Sequence, residues 1–251
     1  MENDHCQGME KLAGRFHMRI SICLDLVLVI YAGETMAPYR EDIKNMVSYF
    51  YENTQARTRF KNLIFRVRII AYRDAVCDGE NALQCTDFFS LPDELDALID
   101  YLDDLSFTGG ETHGGNGMDA LMRALESDWN DSVPNSQLRH NVMLITDSAS
   151  VCMNDFQNRI CSFYPQNLSA DVERISKFWL DQEPLPCHLA KSPDRRMILF
   201  AANQSPWKEL TELFDQYDNS CVLFAPDGIS CLTDPSTLRT ICSALYEAIC
   251  I

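Results

Sequence analysis

The chain has 251 residues, 46% of them apolar, which is enough to bury a full core in one α/β domain. A formal net charge of -16 sets it against nucleic-acid phosphate and anionic lipid, so neither is expected as a bulk partner. Solubility alone explains such an excess in many proteins, and an acidic surface also suits cations or basic partner surfaces. Eleven cysteines without a C-x-x-C pair exclude a disulfide scaffold and a zinc finger; they read as reduced thiols, mostly core filler, in a reducing cytosol.

Residues 1–17 are a polar lead-in without the apolar core of a signal peptide. Residues 18–251 read as one domain, with no linker or repeat. ISICLDLVLVI, Ile20 to Ile30, is too short to span a membrane and is interrupted by Asp25. Its aliphatic and β-branched residues predict a strand buried on both faces. A helix is predicted from about Pro38, with the proline in its first turn and Glu41 and Asp42 near its start. FRVRIIAY, Phe65 to Tyr72, is the second strand, and FFSL at Phe88 a short edge strand. LPDELDALIDYLDDL is helical, with Leu95, Leu98, Ile99 and Leu102 forming an apolar stripe. The glycine-rich TGGETHGGNG, Thr108 to Gly117, opens a further helix, MDALMRALESDW.

NVMLIT, Asn141 to Thr146, is a buried strand that ends at Asp147. An irregular stretch from Ser148 to about Leu168 precedes a helix around Ala170 to Leu180. RMILFAA and CVLFAP are the last strands, PWKELTELF and STLRTICSALYEAI the last helices. Strands alternating with helices predict a mostly parallel sheet with helices on both faces. Ligands on such sheets sit outside the carboxyl ends of the strands. The loops that matter therefore follow Ile30, Tyr72 and Thr146 and surround Gly109.

VLVIYAGETMAPYREDIKNMV, FRVRIIAYRD, SFTGGETHGGNGMDALMRAL, RHNVMLITDSAS and RRMILFAANQSPW, in this order and spacing, resemble the von Willebrand factor A domain, in particular its compact bacterial, intracellular kind. The resemblance covers about Arg19 to Ile251. It implies a Rossmann-like three-layer sandwich whose six-stranded sheet is mostly parallel, with one antiparallel edge strand. It also implies a divalent-cation site at the sheet's C-terminal edge, the metal-ion-dependent adhesion site. There the first loop offers Asp-x-Ser-x-Ser, the second a Thr and the third an Asp. These oxygens and water surround a hard cation and leave one position for a partner's carboxylate.

Laid on that pattern, the first Asp falls on Tyr31 and the first hydroxyl on Gly33. The second hydroxyl is Thr35, the third-loop acid is Asp147, and the second-loop Thr is Thr112, with the register of GGETHGG left open. Tyr31 is bulky and neutral at pH 7, a poor ligand for magnesium. Glu34 and Glu111 are carboxylates that could swing toward the vacated position, the latter on a glycine-flanked backbone.

The expectation is a degenerate site that holds no cofactor. Tyr31 caps a cleft shared with Gly33, Asp74, Gly110, His113 and Ser148, and Asp147 bonds to loop amides or hydroxyls. The alternative is Mg2+ or Mn2+ held by Thr35, Asp147 and one of Thr112, Glu111 or Glu34. Arg73 and Asp74 read as pins between loops, and His140 as a surface residue. The aromatic residues Phe156, Phe163, Tyr164, Phe178 and Trp179 form either an exposed interface or packing onto the domain. The function expected from the resemblance is a non-catalytic, cytoplasmic protein-interaction module, an accessory subunit of a bacterial multi-protein system. A metal-assisted hydrolase is the third reading. The lack of G-x-S-x-G and of a GK[ST] phosphate loop counts against it.

Overall fold

A computed structural model of the chain describes residues 21–57, 63–109, 114–131, 136–151, 160–163, 171–182, 184, 189, 194–215, 222–224 and 228–247. Seven strands fall within them: Ser21–Tyr31 (β1), Leu63–Tyr72 (β2), Leu83–Cys85 (β3), Phe89–Leu91 (β4), Ser136–Ile145 (β5), Arg195–Phe200 (β6) and Val222–Phe224 (β7). They form one sheet in the order β3-β2-β1-β5-β6-β7, with β4 also paired to β2. β3 and β4 run antiparallel to β2, and every other pairing is parallel. The fold is therefore mixed α/β around a mostly parallel sheet. The polar lead-in, residues 1–17, lies outside the described residues.

The helices are Arg40–Arg57 (α1), the single turn Ala75–Asp78 (α2), Leu95–Asp104 (α3), Gly117–Leu125 (α4), Val172–Trp179 (α5), Trp207–Asp215 (α6) and Pro235–Glu247 (α7). α4 packs on β1, β2 and β5, α5 on α4, and α6 on α5. α1 packs on α3, α7 and the 3-10 turn Gly228–Thr233. β1 lies at the centre, and Ile22 to Tyr31 are buried without a break. Successive side chains point to opposite faces, so both faces of β1 are covered. Each fully buried Val, Leu or Ile contributes roughly 1.5–3 kcal/mol, which makes this strand the seat of the core. Among the described residues no helix is long and apolar enough to cross a membrane.

Several boundaries differ from expectation. Pro38 lies inside a 3-10 turn, Glu34–Tyr39, and the α-helix starts at Arg40. β5 begins at Ser136, five residues before the apolar run, because Ser136 to His140 pair with Ser21 to Asp25 of β1. Two short antiparallel segments line β2 where one was expected; Leu83–Cys85 is too short for a pattern to show. Cys23, Cys231 and Cys242 are buried as core filler, but Cys77 and Cys85 are exposed.

His140 is a correction. It does not lie on the surface but is fully buried within β5. Its ring stacks on Trp129 at 4.8 Å, and Nε2 lies 2.9 Å from the Asn130 carbonyl. Its neighbour in register is Asp25, equally buried. Arg66 donates to both Asp25 oxygens, at 2.9 and 2.6 Å, and the Asn130 amide adds a bond of 2.8 Å. The acid that interrupts the apolar run is thus a paired charge in the core.

Candidate functional site

β1 and β2 end side by side, with Tyr31 in register with Tyr72 and their rings 5.4 Å apart. The Tyr31 ring folds back over the loop it introduces. A Cβ at Gly33 would come 2.7 Å from its Cε1, and closer still to Cζ and the hydroxyl. Gly33 has φ -74° and ψ 164°, extended backbone that any residue adopts. The glycine is needed for the ring's space and not for its own conformation. Tyr31 and Gly33 are therefore one packing solution.

The Tyr31 side chain is buried among acids. Desolvation first, then the charges of Asp147, Asp78 and Asp74, push its phenol up to about 12, and a hydrogen bond with Ser148 opposes them. The phenol is neutral at any physiological pH. The Ser148 hydroxyl donates to Asp147 Oδ1 at 3.0 Å, so Tyr31, Ser148 and Asp147 are linked. The Ser148 carbonyl accepts from Trp207 Nε1 at 2.8 Å, which anchors this loop to α6.

The loops are stitched to one another through the backbone. Glu34 N–H donates to the Gly109 carbonyl (3.2 Å) and Thr108 N–H to that of Ala32 (3.1 Å). Arg73, buried, donates to the carbonyls of Ala32 (3.1 Å), Asn81 (2.7 Å) and Ser106. One guanidinium fork thus holds three loops. Asp74 caps α2 by accepting from Val76 and Cys77 N–H at 2.7 and 3.4 Å. Gly115 bridges to Ser150 and accepts from Val151 N–H at 2.9 Å. Gly114, at φ +87°, lies directly against the Ala149 carbonyl group, where no side chain fits.

Of the residues expected at the site, Tyr31, Asp74, Asp147 and Ser148 come together, with Gly33 beneath the ring. Asp147 and Ser148 are half-buried, and Asp74 is buried. Glu34 and Thr35 are exposed on the 3-10 turn. Gly110, Glu111, Thr112 and His113 lie outside the described residues, as do Phe156 and Tyr164. Phe178 and Trp179 are buried in the core, whereas Phe163 is exposed. Asp78, one of the acids in YRDAVCDGE just after the second strand, joins the group. It accepts from the Asp74 amide at 3.1 Å and lies against Gly109; its spacing of four from Asp74 was the available signal.

Among the described residues of this edge, Tyr31 is a poor ligand for a divalent ion. Its neutral phenol stands at the end of β1, and its ring fills the space that a side chain at Gly33 would take. Among the described residues, no three acids, histidines or cysteines come together as a ligand group. What remains is a polar edge of hydroxyls and carboxylates on loops fixed by buried hydrogen bonds.

A mixed α/β protein with a mostly parallel sheet and a loop-built edge is the class that fold and site define. No family model matches the sequence, and no curated protein matches it. Among solved structures, the chain is similar to the pilus adhesin SpaC from Lactobacillus rhamnosus GG. One crystal structure of that adhesin aligns at a TM-score of 0.53 and 12% identity, over 90% of this chain and 31% of the adhesin chain. Its open conformation aligns with the same TM-score and identity, over 90% of this chain and 30% of the adhesin chain. The chain thus spans less than a third of the adhesin's length, and the likeness is one of fold.

Proposed function

We propose that the chain is a non-catalytic protein-binding module of the von Willebrand factor A type, a three-layer sandwich whose metal-ion-dependent adhesion site has been converted into a metal-independent surface. The observation that carries this reading is the Tyr31 ring packed over Gly33, with Asp147 bonded to Ser148 beside it. A cation in such a site completes its shell with a partner's carboxylate. With a neutral phenol in that position, recognition falls to hydroxyls, acids and apolar groups at the sheet's C-terminal edge. The strand order and the antiparallel edge agree with the type. The adhesin likeness supports the fold and says nothing of the partner. In this reading the module works in the cytoplasm as an accessory subunit of a bacterial multi-protein assembly.

Thermal melts in EDTA and then in rising magnesium or manganese test the proposal, run beside Asp147→Ala. A site that binds only the folded state adds about 2.7 kcal/mol at a hundredfold excess over its dissociation constant. The expected result is the same melting point throughout for both proteins. A melting point that climbs with metal in the wild type but not in Asp147→Ala would overturn the proposal in favour of a cation-dependent module.

A further inference from the structure

Among the described residues, four large hydrophobic side chains are exposed: Ile64, Val76, Ile160 and Phe163. Ile64 stands apart, at the amino end of β2. The other three gather at α2, beside the sheet's C-terminal edge. Val76 is on that turn and 40% exposed. Phe163, 56% exposed, lays its ring against Gly79, 3.5 Å from where a Cβ would stand there. Ile160, 67% exposed, precedes Cys161, whose thiol donates to the Ala75 carbonyl at 3.2 Å. Cys161 also packs on Ala75 and Ala82. These contacts hold the stretches 75–79 and 160–163 side by side.

The support under the patch is fixed. Asp74 caps α2, and the buried Asn116 accepts from the Ala75 amide at 2.7 Å. The three side chains therefore stay in water although the backbone that carries them is anchored. A single exposed hydrophobic needs no explanation, but a cluster rimmed by polar residues marks an interaction surface.

Charge decides what covers it. The connections 32–39, 73–82, 105–116 and 146–170 run between the elements at this edge. By sequence they hold seven acids, two arginines and no lysine. One of the arginines, Arg73, is buried and donates to three loop carbonyls. Glu80, next to Gly79, is exposed. A second copy of this chain would bring its own formal charge of -16 and be repelled, and anionic lipid is repelled in the same way. A protein surface that mixes lysine or arginine with apolar residues is attracted from a distance, and on contact it removes the three side chains from water.

We propose that Val76, Ile160 and Phe163 form the docking face for a partner protein whose own apolar residues are interspersed with lysine or arginine. The apolar contact supplies the affinity and the charge supplies the rate of encounter. The proposal rests on the reading of the chain as a protein-binding module and names the chemistry of its partner.

The test is amide NMR of the labelled full chain, titrated with three short synthetic peptides. The first spaces leucine, phenylalanine and lysine with serine. The second replaces its lysines by glutamate, and the third replaces its leucines and phenylalanines by serine. The first should give saturable shifts at Val76, Gly79 and Phe163, with a dissociation constant on the order of 100 μM that rises with added sodium chloride. The other two should give none. Val76→Ser combined with Phe163→Ser, both on exposed side chains, should weaken binding at least about tenfold, with an unchanged melt confirming the fold. Absence of saturable shifts with the first peptide, or undiminished binding in the double variant, would overturn the assignment of the face. Equal binding of the glutamate peptide would overturn the basic partner, and equal binding of the serine-substituted peptide would overturn the apolar contact. Phosphatidylcholine vesicles that bind the wild type but not the double variant would overturn the protein partner in favour of a membrane. If the peptide fails while the metal melts stay flat, the metal-free module stands without this face. A magnesium-dependent melt removes that module whether or not the peptide binds.

Discussion

At its N-terminal half β1 carries Asp25, buried and met by Arg66, Asn130 and His140; at its last residue it carries Tyr31, a neutral ring among acids. Both positions are buried, yet they handle charge differently. Deep in the sheet a carboxylate persists because a guanidinium stacked over Phe88 at 4.3 Å takes it in both hands. At the other end amides and a hydroxyl take the hydrogen bonds of Asp74, Asp78 and Asp147, and the Arg73 guanidinium, which donates to loop carbonyls, acts on Asp78 through its charge. A charge at the Tyr31 position would add to that repulsion unless an ion accompanied it. A phenol avoids the cost, and Gly33 makes room for it. The first arrangement locks a fold, and the second leaves polar groups at the sheet's C-terminal edge.

The sharpest way to break this contrast is at Asp25. Asp25→Ala strands Arg66 and the Asn130 amide, and removing one member of a buried ion pair costs about 3–5 kcal/mol. The urea midpoint should fall accordingly with an unchanged slope. A loss below ~1 kcal/mol would mean that the pair is not integral to the core. At the other end, Gly33→Ala drives a methyl group into the Tyr31 ring, an overpacking worth about 1–3 kcal/mol. In a Tyr31→Ala background the same change should reverse sign and stabilise by roughly 0.4–1 kcal/mol, because the backbone there accepts any residue. Equal effects in both backgrounds would break the coupling of Tyr31 to Gly33.

The His140 cluster gives a pH signature. Burial lowers the His140 imidazole below its ordinary value, against the opposing charge of Asp25. The unfolded chain therefore binds the proton more readily than the native one. This stability is complete above the unfolded value of about 6.5 and is lost as pH falls from there toward the depressed native value. His140→Gln should flatten that part of the stability profile, measured by urea unfolding at pH 7.5 and pH 5.5. A stability that instead rose on acidification in the wild type, and not in the variant, would show a raised imidazole. The smallest signal lies in Tyr31 itself. The difference in ultraviolet titration between wild type and Tyr31→Phe should develop only toward pH 12. A midpoint near the ordinary value of about 10 would mean an exposed ring.

Much of the fold was legible in the residues. The aliphatic run of β1, the alternation of strands with helices and the stripe at Leu98 and Leu102 all mark elements by their own periodicity. Where polar residues enter a strand the pattern goes silent. Ser136 to His140 form half of β5, and their pairing with β1 is a tertiary fact that no local window contains. For the same reason His140 looked superficial: its cover comes from Trp129 and Asp25, distant in sequence. At the site, the positions of Tyr31, Asp147 and Ser148 followed from their places after strands. The coupling of Tyr31 to Gly33 did not, because it depends on which way a ring turns.

In the proposed module Tyr31 takes the place of an ion. The most direct measurement is calorimetric titration of the full chain with Mn2+, beside Asp147→Ala. The expected result is no binding event that separates the two proteins, only the weak, diffuse uptake of an acidic surface. A stoichiometric event in the wild type that vanishes in Asp147→Ala would contradict it, and would place a metal beside Tyr31 after all.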